Sequence, residues 1–149
     1  MALILDTTYL LPLAKADIEA DLLMAIDDGA VDIPLSDIKI SMISIFELQA
    51  KIAKNKLPAR LAIDAISAIN SSIKTEPFYS PKIIEVADAL SRELGDYVDC
   101  IILATAIALK EDLISEDSRL HGMKEAVRRK YGINILNYRD AKDLWGRTG

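Results

Sequence analysis

The chain has 149 residues, of which 51% are hydrophobic, so it can form one domain with a substantial core and is not expected to be disordered. Its net charge of −5 is not typical of a nucleic-acid-binding protein. The charge is uneven, because residues 1–109 contain 9 Lys and Arg against 16 Asp and Glu, whereas residues 110–149 contain 9 against 7. A single cysteine excludes an internal disulfide and a zinc site of several cysteines. The longest apolar run, residues 100–109, is too short to span a membrane, and the N-terminus lacks the basic start of a signal peptide, so we expect a cytoplasmic protein.

Apolar patterns along the chain alternate between strands and helices. In chain order, the predicted elements are a strand (2–6), two helices (8–15 and 18–28), a strand (38–43), two helices (44–54 and 59–72), a strand (73–79), two helices (80–94 and 96–109), a strand (112–115), a helix (119–131) and a strand (133–137). Pro77 marks the strand at 73–79 as an edge strand or a loop. Gly29 and Gly132 are predicted to end helices.

This alternation predicts an α/β fold with a mainly parallel central sheet and helices on both faces. We expect a single domain over residues 1–149. Its tail, about residues 138–149, is expected to pack on the domain and to hold one more helical turn at 141–145.

Four acidic residues share one setting, because each lies at or near the start of a predicted helix and three closely follow a predicted strand. They are Asp6, Glu47, Asp99 and Asp117. Helix capping is one interpretation, since carboxylates are favourable at helix N-termini. The capping contacts would be Ser44 with Glu47, Asp96 with Asp99, Asp117 with the helix after it, and Asp6 with the backbone of Thr8.

Their expected position in the sheet favours a second interpretation. A parallel sheet brings the carboxyl ends of its strands to one edge, where α/β proteins hold their ligands. Ser115 and Asp117 are two residues apart, so their side chains point the same way at a strand end. Clustered carboxylates repel each other unless a cation lies between them, and oxygen ligands without His or Cys suit Mg²⁺ or Mn²⁺. Such ions promote phosphodiester hydrolysis.

The same residues resemble a known family, the PIN-domain ribonucleases, which include the VapC-type toxins of toxin–antitoxin pairs. The resemblance covers about residues 3–137. Its motifs are Leu5-Asp6-Thr7-Thr8, Ser44-Ile45-Phe46-Glu47, Asp99-Cys100-Ile101-Ile102-Leu103-Ala104-Thr105-Ala106 and Leu113-Ile114-Ser115-Glu116-Asp117.

This resemblance implies a PIN-like three-layer α/β/α fold and a metal-dependent endoribonuclease that cleaves single-stranded RNA with Mg²⁺ or Mn²⁺. It assigns the catalytic and metal-binding roles to Asp6, Glu47, Asp99 and Asp117, with Thr8 and Ser115 in support. It also suggests a homodimer, and an antitoxin protein as partner if the chain is a VapC-type toxin.

Some residues near these motifs depart from the family pattern or extend it. Glu116 adds an acid where a basic or neutral residue is more usual, which disfavours RNA binding. Asp96 shares a helix face with Asp99, and we assign Asp99 as ligand and Asp96 as a supporting residue. Candidate RNA-binding residues follow in the predicted helix, although a solvated helix face explains them equally well. They are Arg119, Lys124 and Arg128.

Other residues and families fit less well. His121 and Cys100 have no neighbouring partner in sequence that would make them catalytic. A haloacid dehalogenase-type phosphatase needs a second Asp at the position of Thr8, a response-regulator receiver needs a lysine after its last strand, and a Rossmann domain needs a glycine-rich turn after its first strand. The remaining alternative is a PIN-like module that binds RNA or protein without turnover.

Overall fold

A central sheet of parallel strands organises the computed structural model, which describes residues 2–147. The strands are β1 (Leu3–Leu5), β2 (Ile38–Ser41), β3 (Lys74–Glu76), β4 (Asp112–Ile114) and β5 (Ile135–Leu136). They lie in the order β3-β2-β1-β4-β5, and each neighbouring pair is parallel. The predicted parallel sheet is therefore confirmed, and β3, just before Pro77, is an edge strand as expected.

Helices follow the strands along the chain. The α-helices are α1 (Leu22–Asp27), α2 (Met42–Lys54), α3 (Ala59–Ser72), α4 (Pro81–Leu90), α5 (Tyr97–Leu109), α6 (Ser118–His121), α7 (Lys124–Tyr131) and α8 (Tyr138–Trp145), and 3-10 helices lie at Thr7–Ala14 and Leu35–Asp37. Within residues 2–147 no helix is long and apolar enough to cross a membrane.

Side chains of β1 alternate between two hydrophobic cores, one on each face of the sheet. Leu3 and Leu5 enter the first core, Ile4 enters the second, and all three are completely buried. The first 3-10 helix, α1, α2 and α3 contribute to the first core, whereas α4, α5 and α7 contribute to the second. The predicted three-layer α/β/α architecture is confirmed by this arrangement.

The first predicted helix is a 3-10 helix rather than an α-helix. Pro12 lies inside it and has no N–H to donate, and the Lys15 N–H bonds the Pro12 carbonyl at 3.0 Å, three residues back. The chain then leaves the helix through Lys15, which has a φ of 66°. The sequence pattern located this segment correctly but not its hydrogen bonding.

Other helices differ from the predictions in length. The helix expected at 119–131 is divided into α6 and α7, and Gly122, a poor helix former, lies at the break. The helix expected at 18–28 is only α1, which begins after its cap, Asp21. Gly29 and Gly132, with φ of 81° and 76°, follow α1 and α7 as predicted.

The tail is more regular than predicted. A capping box between Asn137 and Asp140 begins α8, which is longer than the single turn expected at 141–145. Residues 1, 148 and 149 lie outside the described residues.

Candidate functional site

One cleft at the carboxyl edge of the sheet brings together residues from four parts of the chain. It has a volume of about 350 Å³. Its lining residues are Asp6, Thr8, Glu47, Lys51, Asp96, Asp99, Glu116, Asp117 and Arg119. All four acidic residues singled out in the sequence therefore face one space, together with Thr8, Asp96 and Arg119.

Asp6 directly follows β1, and its backbone continues the sheet because its N–H donates to the Ile114 carbonyl at 2.9 Å. The carboxylate is 6% exposed. Its Oδ1 accepts from the Thr7 N–H at 2.8 Å, and its Oδ2 accepts from the Ser115 hydroxyl at 2.6 Å. Burial raises the pKa of Asp6 despite these two hydrogen bonds, and the nearby charge of Glu47 raises it further.

Ser115 is not itself in the cleft lining but connects two residues that are. It is completely buried at the end of β4, and while its hydroxyl donates to Asp6 it also accepts from the Asp117 N–H at 3.0 Å. The backbone carbonyl of Ser115 lies 2.7 Å from Nε2 of His121. Ser115 therefore fixes the ends of β1 and β4 relative to each other.

The capping box of Ser44 with Glu47, one of the two interpretations of these residues, does not form. Ser41 caps α2 instead, accepting from the Ile43 N–H at 3.3 Å, and α2 begins two residues earlier than expected. Ser44 is buried and accepts a hydrogen bond of 3.0 Å from the Thr7 hydroxyl. Glu47 is consequently one turn into the helix and faces the cleft.

Asp96 and Asp99 have different roles at the start of α5. Asp96 is the N-cap, accepting from the N–H groups of Val98 at 2.9 Å and Asp99 at 3.3 Å. Asp99 is 7% exposed. Burial raises its pKa to about 7, and the charges of Asp96, Asp6 and Asp117 add to the effect. Helix capping accounts for Asp96 but not for Asp99.

Arg119 bridges two of the acidic residues. Its Nη2 lies 3.0 Å from Oδ2 of Asp99 and 3.1 Å from Oδ2 of Asp117, and its Nε is 3.4 Å from Oδ1 of Asp117. Asp117 also caps α6, since its Oδ1 accepts from the Arg119 N–H at 2.8 Å. Hydrogen bonding to Arg119 lowers the pKa of Asp117.

The donor set of the cleft has the chemistry of a divalent-cation site. Its oxygen donors come from carboxylates, and their repulsion contributes to the raised pKa values of Asp6 and Asp99. Among residues 2–147, however, no three acidic, His or Cys side chains already stand in a metal-binding arrangement. Arg119 provides a positive charge between Asp99 and Asp117. The residues that would hold a cation are Asp6, Glu47, Asp99 and Asp117.

Comparison with known proteins identifies the family. Residues 3–126 match the model of the PIN domain family. The chain belongs to the PIN domain family. No curated protein matches the sequence.

Solved structures resemble this PIN domain in fold. A chain of the VapBC2 complex from Rickettsia felis bound to a promoter DNA fragment has 19% identity and a TM-score of 0.62, with 92% of this chain and 98% of that one covered. A chain of VapBC from Salmonella typhimurium bound to DNA has 18% identity and a TM-score of 0.62, with coverage of 93% and 98%. A chain of a toxin–antitoxin complex from Klebsiella pneumoniae has 22% identity and a TM-score of 0.55, with coverage of 89% and 95%.

The three candidate RNA-binding residues do not line one shared surface in this PIN domain. Arg119 lies in the cleft, whereas Lys124 and Arg128, beyond the break at Gly122, line a separate depression with α8. Their binding role stays a prediction. Lys51, one helical turn after Glu47, lies in the cleft and is a second cation there that the sequence analysis did not assign.

Glu116 has a structural role that the sequence analysis missed. Its Oε2 accepts from the hydroxyl of the completely buried Tyr9 and from the Tyr138 N–H, the latter at 2.7 Å. The acid that departs from the family pattern thus connects β4 to the first 3-10 helix and to α8. The spacing of Tyr9 and Glu116, more than a hundred residues, left no local signal of this contact.

Proposed function

We propose that this PIN domain is a metal-dependent endoribonuclease that hydrolyses phosphodiester bonds of single-stranded RNA. The observation that supports it is the convergence of Asp6, Glu47, Asp99 and Asp117 on one cleft at the carboxyl edge of the sheet. Mutual repulsion of these carboxylates would destabilise a scaffold without a metal, whereas a site for Mg²⁺ or Mn²⁺ requires them as ligands.

The chain's own residues divide the work of such a site. Asp6, Glu47, Asp99 and Asp117 are ligands, and Ser115 holds Asp6 in position through its 2.6 Å hydrogen bond. Asp96 orders the first turn of α5 and so positions Asp99. When bound, the cation supplies a water of lowered pKa and polarises a phosphoryl oxygen. Lys51 and Arg119 give the acidic cleft two positive groups that can contact the RNA phosphates.

We also propose the assembly that the relatives suggest. Two of the structural neighbours are a VapBC complex and a toxin–antitoxin complex, which supports an antitoxin protein as partner for this chain. The homodimer rests on the family resemblance alone. We infer a single domain that includes the tail. In support, the Asp32 N–H donates to the Trp145 carbonyl at 2.7 Å, and Val31 forms a β-bridge with Gly146.

A cleavage assay tests the enzymatic proposal. Wild type, Asp6→Asn and the control Asp64→Asn would be incubated with a mixed panel of single-stranded RNAs in Mg²⁺, in Mn²⁺ and in EDTA. Asp64 is an exposed carboxylate on α3, paired only with Arg60 among the described ion pairs, so its loss removes the same charge away from the cleft. We expect metal-dependent cleavage by wild type and Asp64→Asn, and none by Asp6→Asn.

A binding module without turnover is the second candidate, and the bridge formed by Arg119 favours it because it neutralises two of the acids without a metal. Calorimetric titration with Mn²⁺ separates the two functions. Absence of both cleavage and Mn²⁺ binding would leave only the binding module.

A further inference from the structure

Arg119 makes contacts in the cleft that phosphate binding alone does not require. One nitrogen, Nη2, contacts two carboxylates that come from different parts of the fold, Asp99 at the start of α5 and Asp117 at the start of α6. These are two of the four acids that the proposed function assigns to a divalent cation. A cation held by both would take the same oxygens that the guanidinium contacts.

The two sides of the bridge differ in their freedom to move. The Asp99 and Asp117 side chains are 9% and 24% exposed, whereas that of Arg119 is 59% exposed. The acids are therefore fixed in the cleft, and the arginine can leave it for solvent.

We propose that Arg119 is a built-in competitor of the divalent cation, and that its displacement from Asp99 and Asp117 accompanies metal binding. This inference rests on the proposed function. In the metal-free protein the arginine neutralises the two acids and keeps the cleft compatible with folding. The same contacts weaken cation binding, because they must be broken before both carboxylates can accept an ion.

Calorimetric titration with Mn²⁺ tests this competition directly. The proteins would be wild type, Arg119→Ala, Arg119→Gln and the control Arg92→Ala. Arg92 is exposed and forms no ion pair among the described residues, so its loss changes the net charge equally without freeing a cleft carboxylate. We expect Mn²⁺ to bind Arg119→Ala and Arg119→Gln roughly five- to twentyfold more tightly than wild type, the equivalent of about one charge-assisted contact. Arg92→Ala should bind like wild type.

A second readout follows the arginine itself. In ¹⁵N-labelled wild type, the Nε–H resonance of Arg119 should shift during titration with diamagnetic Mg²⁺ and saturate together with site occupancy. Arg119→Ala identifies the resonance by its absence. Circular dichroism would confirm that all variants are folded.

The outcomes separate this inference from the proposed function. If wild type binds Mn²⁺ but both Arg119 variants bind equally well or more weakly, the competition is refuted and the metal site remains. If neither wild type nor the Arg119 variants bind Mn²⁺, the proposed function is refuted and the inference with it. Asp99→Asn, which removes a shared ligand, should abolish or strongly weaken binding in either background.

Discussion

Replacing Ser115 with alanine is the sharpest test of how the cleft is held together. Its hydroxyl donates to the buried Asp6 at 2.6 Å and accepts from the Asp117 N–H at 3.0 Å. Because Ser115 is completely buried, water does not readily take the place of the lost hydroxyl. A hydrogen bond to a charged group contributes about 1.5–3 kcal/mol, and an amide left without a partner costs about 1 kcal/mol more. We therefore expect Ser115→Ala to reduce the free energy of unfolding by about 2.5–4 kcal/mol.

Urea unfolding in EDTA measures this loss without any contribution from a bound metal. Thermal unfolding should show a fall in Tm of about 5–15 °C for a chain of this size. Ser71→Ala is the matched control, because that hydroxyl also bonds at 2.9 Å but is exposed on α3, and its loss should cost less than about 0.5 kcal/mol. A Ser115→Ala variant as stable as Ser71→Ala would refute the assignment of Ser115 as the link between β1 and β4.

Three further predictions concern the acids and one turn. The pKa of Asp99 is raised by folding to about 7, so its contribution to stability is complete below pH 4 and is lost as the pH rises through about 7. Between pH 4 and 8, metal-free wild type should lose on the order of 2 kcal/mol more of its free energy of unfolding than Asp99→Asn, once solvent screening is allowed for. Urea unfolding measures this loss, and parallel pH profiles of the two proteins would contradict it. Glu116→Ala leaves the buried Tyr9 hydroxyl without its acceptor and should lower the free energy of unfolding by about 1–3 kcal/mol. Adding Tyr9→Phe should recover part of this loss in a double-mutant cycle. Strictly additive effects of the two substitutions would exclude the contact. Gly132→Ala places a residue with a side chain at a φ of 76°, and the space around the added Cβ is open. Backbone strain alone should therefore lower the free energy of unfolding by about 1 kcal/mol in the same assay. An unchanged urea midpoint would show that α7 ends differently.

The parts of this site that could be predicted from sequence are those with a local signal. Asp6 and Asp117 each follow a short apolar run, and parallel strands necessarily end at the same edge of the sheet, so their proximity followed from periodicity alone. Glu47 was correctly expected in the first turns of a helix, but Ser44 was misread as its cap. Ser41, at the end of β2, satisfies the same chemical requirement three residues before the predicted start of α2, and spacing cannot distinguish two serines that could each begin a helix.

The remaining features depend on contacts between distant parts of the chain. Arg119 reaches Asp99 across 20 residues of sequence, and only the tertiary fold, which brings the starts of α5 and α6 together, determines that distance. The break at Gly122 could be suspected from propensity, but not which surface each side of it lines: Arg119 lies in the cleft, whereas Lys124 lines a separate depression. Periodicity treats such a segment as one continuous helix and does not show the break.

The central position of β1 in the sheet also has a consequence for the order of folding. β1 is synthesised before the other four strands of this sheet, yet it pairs with β4, and the hydrogen bond beyond their ends joins Asp6 to Ser115, which are separated by 109 positions. Contacts of such long range form late, because a long loop must close before they contribute. A chain emerging from the ribosome can pair β1 with β2 early, but its cleft lacks Ser115 and Asp117 until β4 has followed. The acidic edge therefore stays incomplete until the chain has been synthesised beyond Asp117, and whatever chemistry that edge performs begins only after β4 has joined the sheet.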